Sequence, residues 1–94
     1  MANAKRIKQE RSTEDYLGAV RRMLKAAARR VARGDEFELG ELLSLQSDLD
    51  WAIGQAVAGQ RELGAKTWAM IADGASITKQ TAHGRWADVA YELE

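Results

Sequence analysis

The side chains able to do chemistry crowd between Lys66 and Trp86, in the stretch KTWAMIADGASITKQTAHGRW. They are the hydroxyls of Thr67 and Thr78, the amines of Lys66 and Lys79, the Gln80 carboxamide, the His83 imidazole and the Arg85 guanidinium. These groups donate and accept hydrogen bonds, which suits recognition better than bond making. No nucleophile stands beside a base, and no glycine-rich loop is spaced to cradle a phosphate. The remaining acids and bases are scattered along helical faces, so an enzyme is not expected. The chain has no cysteine, which removes disulfides, thiolate nucleophiles and cysteine-type zinc sites. With His83 as its one histidine, a multi-histidine metal site is also excluded. No metal, no cofactor and no small-molecule substrate is expected.

Those residues need elements to hold them. Thr67 is a good N-cap for a short helix reaching Asp73, with Trp68, Ile71 and Ala72 on its buried side. Gly74, Ala75 and Ser76 break it, Ile77 plugs the turn, and the Thr78 hydroxyl caps the next helix. That second helix is expected to carry Ala82, Trp86, Val89, Ala90 and Leu93 inward. A small residue where two helices cross and an apolar residue in the turn make the pattern of a helix-turn-helix.

The stretch resembles the helix-turn-helix of small DNA-binding proteins common in actinobacteria and their phages. Such proteins have a tryptophan-led first helix, an apolar turn residue, and a recognition helix that opens Ser/Thr–basic–Gln and ends in an aromatic. Here these are Trp68-Ala69-x-Ile71-Ala72, then Ile77, then Thr78-Lys79-Gln80, then Ala82-His83-x-Arg85-Trp86. About 21 residues are covered closely, and the upstream helical pair more loosely. The family usually has glycine before the apolar turn residue, where this chain has Ser76. Gly84 inside the recognition helix is a second departure, costing about 1 kcal/mol of helix propensity. It also leaves room for a close approach to DNA.

The resemblance implies double-stranded DNA as partner, transcription regulation as the role, a phage or mobile-element setting and a cytoplasmic location. A recognition helix inserts its N-terminal half into the major groove, which turns Thr78, Lys79, Gln80 and His83 outward. Gln80 matches adenine, and Lys79 matches guanine or a phosphate. Thr67 and Thr78 suit phosphate oxygens, and Arg85 and Lys66 suit the DNA backbone. His83 reads either as a base contact or as a plain surface histidine.

Upstream, Tyr16, Leu17, Val20, Leu24, Ala27 and Val31 form one apolar stripe after Thr13, and Gly34 is the natural stop. Leu42, Leu45, Leu49, Ile53 and Ala56 form another, fading between Gly59 and Gly64. Zero prolines, where average usage gives about five, and 17 alanines agree with an all-α chain. The expected fold is an N-terminal antiparallel helical hairpin over 13–60, followed by a C-terminal helix-turn-helix over 65–94. Together 13–94 make one helical domain, and the polar residues 1–12 make a flexible basic arm. Two helices leave a thin core, so something else must cover them. Gly40, Ser44, Ser47, Trp51, Gly54 and Ala58 line the second helix opposite its leucines. Small residues around a tryptophan suggest a second packing face, for the C-terminal helices or for another protomer.

Charge complicates the DNA reading. The 14 basic and 14 acidic side chains cancel, yet they are sorted. Residues 1–33 carry ten basic and three acidic groups, residues 34–60 six acidic and none basic, and residues 61–94 four basic and five acidic. Duplex affinity comes mostly from phosphate neutralisation. The arm, with Lys5, Arg6, Lys8 and Arg11, or a homodimer must therefore supplement the reader. Alternatively the basic and acidic blocks pair, and the chain is a helical protein–protein module using Trp51, Ser47 and Gly54. No apolar run is long enough to span a bilayer, and no signal-peptide core opens the chain.

Overall fold

The structure, a computed structural model, describes residues 12–93. The arm residues Lys5, Arg6, Lys8 and Arg11 lie outside the described residues. The described chain is all-α: four helices and no strand. No helix among the described residues is long and apolar enough to cross a membrane.

Helix α1 spans Thr13–Ala32. The Ser12 hydroxyl accepts from the Asp15 amide at 3.1 Å, while Glu14 and Asp15 in the first turn and Arg29 and Arg30 in the last complement the helix dipole. It ends through three-residue bonds, Arg33 N–H to the Arg30 carbonyl and Gly34 N–H to that of Val31. Gly34 does not adopt the left-handed conformation. Helix α2, Glu36–Glu62, begins where Asp35 Oδ1 accepts from the Glu38 amide at 2.9 Å. It ends at Glu62, between Gly59 and Gly64 as its sequence pattern suggests, with Gly40, Gly54 and Gly59 all within it.

The chain divides into two compact units, one ending at Leu43 and the other starting at Ser44. In the first, Tyr16, Leu17, Val20 and Leu24 of the α1 stripe expected to be core are exposed, Ala27 and Val31 are half-buried, and α1 contains no buried residue. An amphipathic face needs a second layer to bury it fully, and the described residues of this unit leave most of it uncovered.

In the second unit α2 buries part of the small-residue line expected to be a second packing face, and not its leucine stripe. Leu45, Leu49 and Ile53 are exposed, whereas Gly54, Gln55, Val57, Ala58 and Gly59 are buried. Helices α3 (Trp68–Ala75) and α4 (Lys79–Trp86) pack together. Val57, Ile71, Ala72 and Ala82 form the core, flanked by Trp68, Ile77 and Trp86.

The recognition-type helix also ends sooner than its apolar spacing suggests. It stops at Trp86, so Val89, Ala90 and Leu93 are not on it. The following segment instead runs along α2. Gln55 Nε2 donates to the Ala90 carbonyl at 2.9 Å, and Gln55 Oε1 accepts from the Glu92 amide at 2.7 Å. The Tyr91 amide donates to Glu62 Oε2, and its ring lies so near Gly59 that a Cβ there would sit 2.9 Å from Cε1. Gly54 faces Val89 more loosely, where a Cβ would sit at an ordinary contact distance of 3.6 Å. The small residues of this half of α2 therefore form a bed for the chain's own C-terminal segment.

Candidate nucleic-acid interface

The turn between α3 and α4 is set by hydrogen bonds local in sequence. Thr67 Oγ1 accepts from the Met70 amide at 3.1 Å and starts α3. At its end Ser76 adopts φ 59°, ψ 41°, the left-handed region. Its amide reaches the Asp73 carbonyl at 3.2 Å, and the Ile77 amide reaches that of Ala72 at 3.0 Å. This pair of bonds is the Schellman arrangement, which turns the chain sharply and drives Ile77 back onto the core. Helix α3 thus runs through Gly74 and bends at Ser76, the position where the resembled family prefers glycine. A side chain in the left-handed region costs roughly 1 kcal/mol. Ser76→Gly is therefore expected to stabilise this unit by about that amount, read as a thermal midpoint raised by a few degrees.

Thr78 opens α4. Its hydroxyl accepts from the Thr81 amide at 3.1 Å and donates to Thr81 Oγ1 at 2.8 Å. A phosphate oxygen would have to compete with Thr81 for that proton. Thr67 differs, because among the described residues no acceptor takes its hydroxyl proton.

Ala82 is 0 % exposed on the inner side of α4. On the outer side Lys79, Gln80, His83 and Gly84 line one shallow depression of 360 Å³. A Cβ added at Gly84 would meet nothing within 4 Å, so the depression is open there. Three of the residues picked out by the motif, Lys79, Gln80 and His83, are thus brought together, and Thr78 does not line the depression. Arg85 is directed elsewhere: with Asp50, Trp51, Gly54 and Trp86 it lines a groove of 610 Å³. Lys66 is exposed just past α2, its amide bonded to the Gln60 carbonyl at 3.0 Å. The preceding Ala65, at φ 55°, is the second left-handed residue, and Gly64 is needed because a Cβ there would lie 2.9 Å from the Gln60 carbonyl oxygen.

His83 is exposed but in contact with a neighbour. Its ring meets Trp68 edge-on at 5.3 Å, and the Arg61 guanidinium lies 4.4 Å from the centre of the same indole. Arg61 was not picked out by the motif. Its place follows from the course of the chain between α2 and α3, and no local spacing marks it. The Trp51 face divides: Gly54 is buried against Val89, while Ser47 and Trp51 remain exposed, Trp51 by 53 %. No cluster of three or more His, Asp or Glu able to hold a metal occurs among the described residues.

Compared with known proteins, the chain matches no family model, no curated protein and no solved structure.

Proposed function

We propose that the chain is a sequence-specific double-stranded DNA-binding protein, a small transcriptional regulator of the phage or mobile-element type. In this reading α1 and α2 form a helical hairpin, α3 and α4 form a helix-turn-helix, and α4 enters the major groove. The observation that carries it is the two-sidedness of α4. Ala82 is fully buried, and Lys79, Gln80, His83 and Gly84 share one open outer face. A helix held from behind, with an amide and an amine at its leading end, fits base-edge reading. Thr67 and Lys66 stand at the start of α3 as phosphate contacts, and Arg85 is a backbone contact at the far end of α4. The residues 1–11 supply further cations, and non-enzymatic action in the cytoplasm completes the reading.

Duplexes selected from a random library test this. Binding should weaken steeply with salt, as counterion release requires. Gln80→Ala is expected to weaken the selected duplex by roughly five- to a hundredfold and to relax preference at one base position. Lys79→Ala should weaken all duplexes more evenly and lower the salt slope by about one if it contacts phosphate. Absence of binding to any duplex at low salt would sink the proposal.

A second reading rests on the half-exposed Trp51 beside the Arg85–Trp86 groove. There the chain is a protein-binding module, and Trp51→Ala abolishes capture of a host protein while changes at Lys79 and Gln80 leave it intact.

A further inference from the structure

Trp68 is half-buried, and two polar side chains meet its indole. The Arg61 guanidinium lies 4.4 Å from the ring centre, and the His83 imidazole stands edge-on at 5.3 Å. A guanidinium on an aromatic face gains cation–π attraction yet keeps its in-plane N–H groups for another acceptor. Among the described residues no carboxylate or carbonyl takes them. Glu62, the next residue, has an oxygen on the Tyr91 amide at 3.2 Å instead. Arg61 is thus an exposed cation without a counter-charge, and a ring restrains its position.

We infer that Arg61 binds a backbone phosphate beside the groove that α4 enters, with Trp68 as its positioning residue. The inference rests on the DNA reading and adds to it a contact that the helix-turn-helix motif does not contain. Geometry gives the reach. His83 lines the outer depression of α4 with Lys79 and Gln80, and it shares the indole with Arg61. The cation therefore lies within ~10 Å of that imidazole, less than the width of a major groove, about 12 Å. Arg61 belongs to α2 and not to the inserted helix, so it meets the phosphates bordering the groove before its floor. Charge gives the need. Of the four basic side chains beyond residue 44, Arg85 lines the Trp51 groove with Asp50, and Lys79 sits on the reading face. Arg61 and Lys66 are left to neutralise phosphate. Arginine suits the task, because its planar fork takes two phosphate oxygens at once and stacking already limits its side-chain freedom.

The probes are the duplex selected for the parent chain and a scrambled duplex of the same length. Arg61→Gln should weaken both by about tenfold near 0.1 M salt, lower the salt slope by about one and leave base preference unchanged. Arg61→Lys should keep the slope and lose affinity severalfold, since the charge stays and the stacked fork goes. Trp68→Leu should lower affinity for both duplexes to a similar degree, and adding Arg61→Lys to it should then change little. Should the leucine chain fail to fold, the Arg61 variants decide alone. The Arg61 Nε–H resonance should shift on addition of either duplex. A contact that only steadied the fold would lower the thermal midpoint and leave the salt slope untouched. An unchanged affinity and slope for Arg61→Gln, an altered base preference, or an Nε–H resonance that neither duplex moves would overturn the inference and leave the DNA reading standing. A parent chain that binds no duplex overturns both.

Discussion

Replacing Ala82 with leucine is expected to remove much of the stability of the C-terminal unit. Ala82 is wholly buried among Val57, Ile71 and Ala72, with Trp68, Ile77 and Trp86 around it. Three added heavy atoms have no void to enter, and overpacking of this kind costs typically 1–3 kcal/mol. A unit of about fifty residues has only some 2–7 kcal/mol in total, at 0.05–0.15 kcal/mol per residue. The loss therefore takes much of its stability. Near-ultraviolet dichroism from Trp68 and Trp86 should flatten, or its thermal midpoint should drop by ten degrees or more. Ala56→Leu is the control. Ala56 is exposed on α2, so the same change there should leave the melt nearly unmoved.

Gln55→Leu is expected to release the segment after Trp86. Gln55 is 2 % exposed, and its carboxamide satisfies both the Ala90 carbonyl and the Glu92 amide. Leucine keeps the volume and leaves two backbone groups without partners, a cost of about 2–3 kcal/mol. The segment can recover hydration by peeling away, so the cost is capped by the free energy of that local opening. Hydrogen exchange at the Glu92 amide should accelerate by one to two orders of magnitude, while amides of α3 change little. Equal acceleration across α3 would show that the segment and the core open together.

Local signals were legible in the sequence and long-range ones were not. Thr67 and Thr78 act as caps because a hydroxyl and the amide three residues on are tied by backbone geometry, and that spacing is visible in a string of letters. The buried Ala82 and the plugging Ile77 were readable for the same reason. The outer face of Lys79, Gln80 and His83 follows from helical period alone. The early end of α4 was not readable. Val89, Ala90 and Leu93 keep helical spacing, but the backbone there finds a better partner in Gln55, 35 residues away for Ala90. The leucines of α2 mislead in the opposite way. Periodicity reveals that a helix has two faces, not which one the chain itself will cover, and here Gly54 and Ala58 are covered while Leu49 is not. The stack of Arg61 and His83 on Trp68 depends on three elements meeting, which no single window of sequence contains.

The grip of Gln55 on the C-terminal segment is a grip on main chain alone: one carbonyl and one amide, with no side chain of that segment involved. Residues 90 and 92 are therefore free to drift through generations so long as neither change removes the amide, as proline at 92 would. Position 55 has no such latitude, because only a carboxamide of that reach offers a donor and an acceptor at once. Selection on this grip would thus leave its mark on position 55 of the helix and almost none on positions 90 and 92 of the strap.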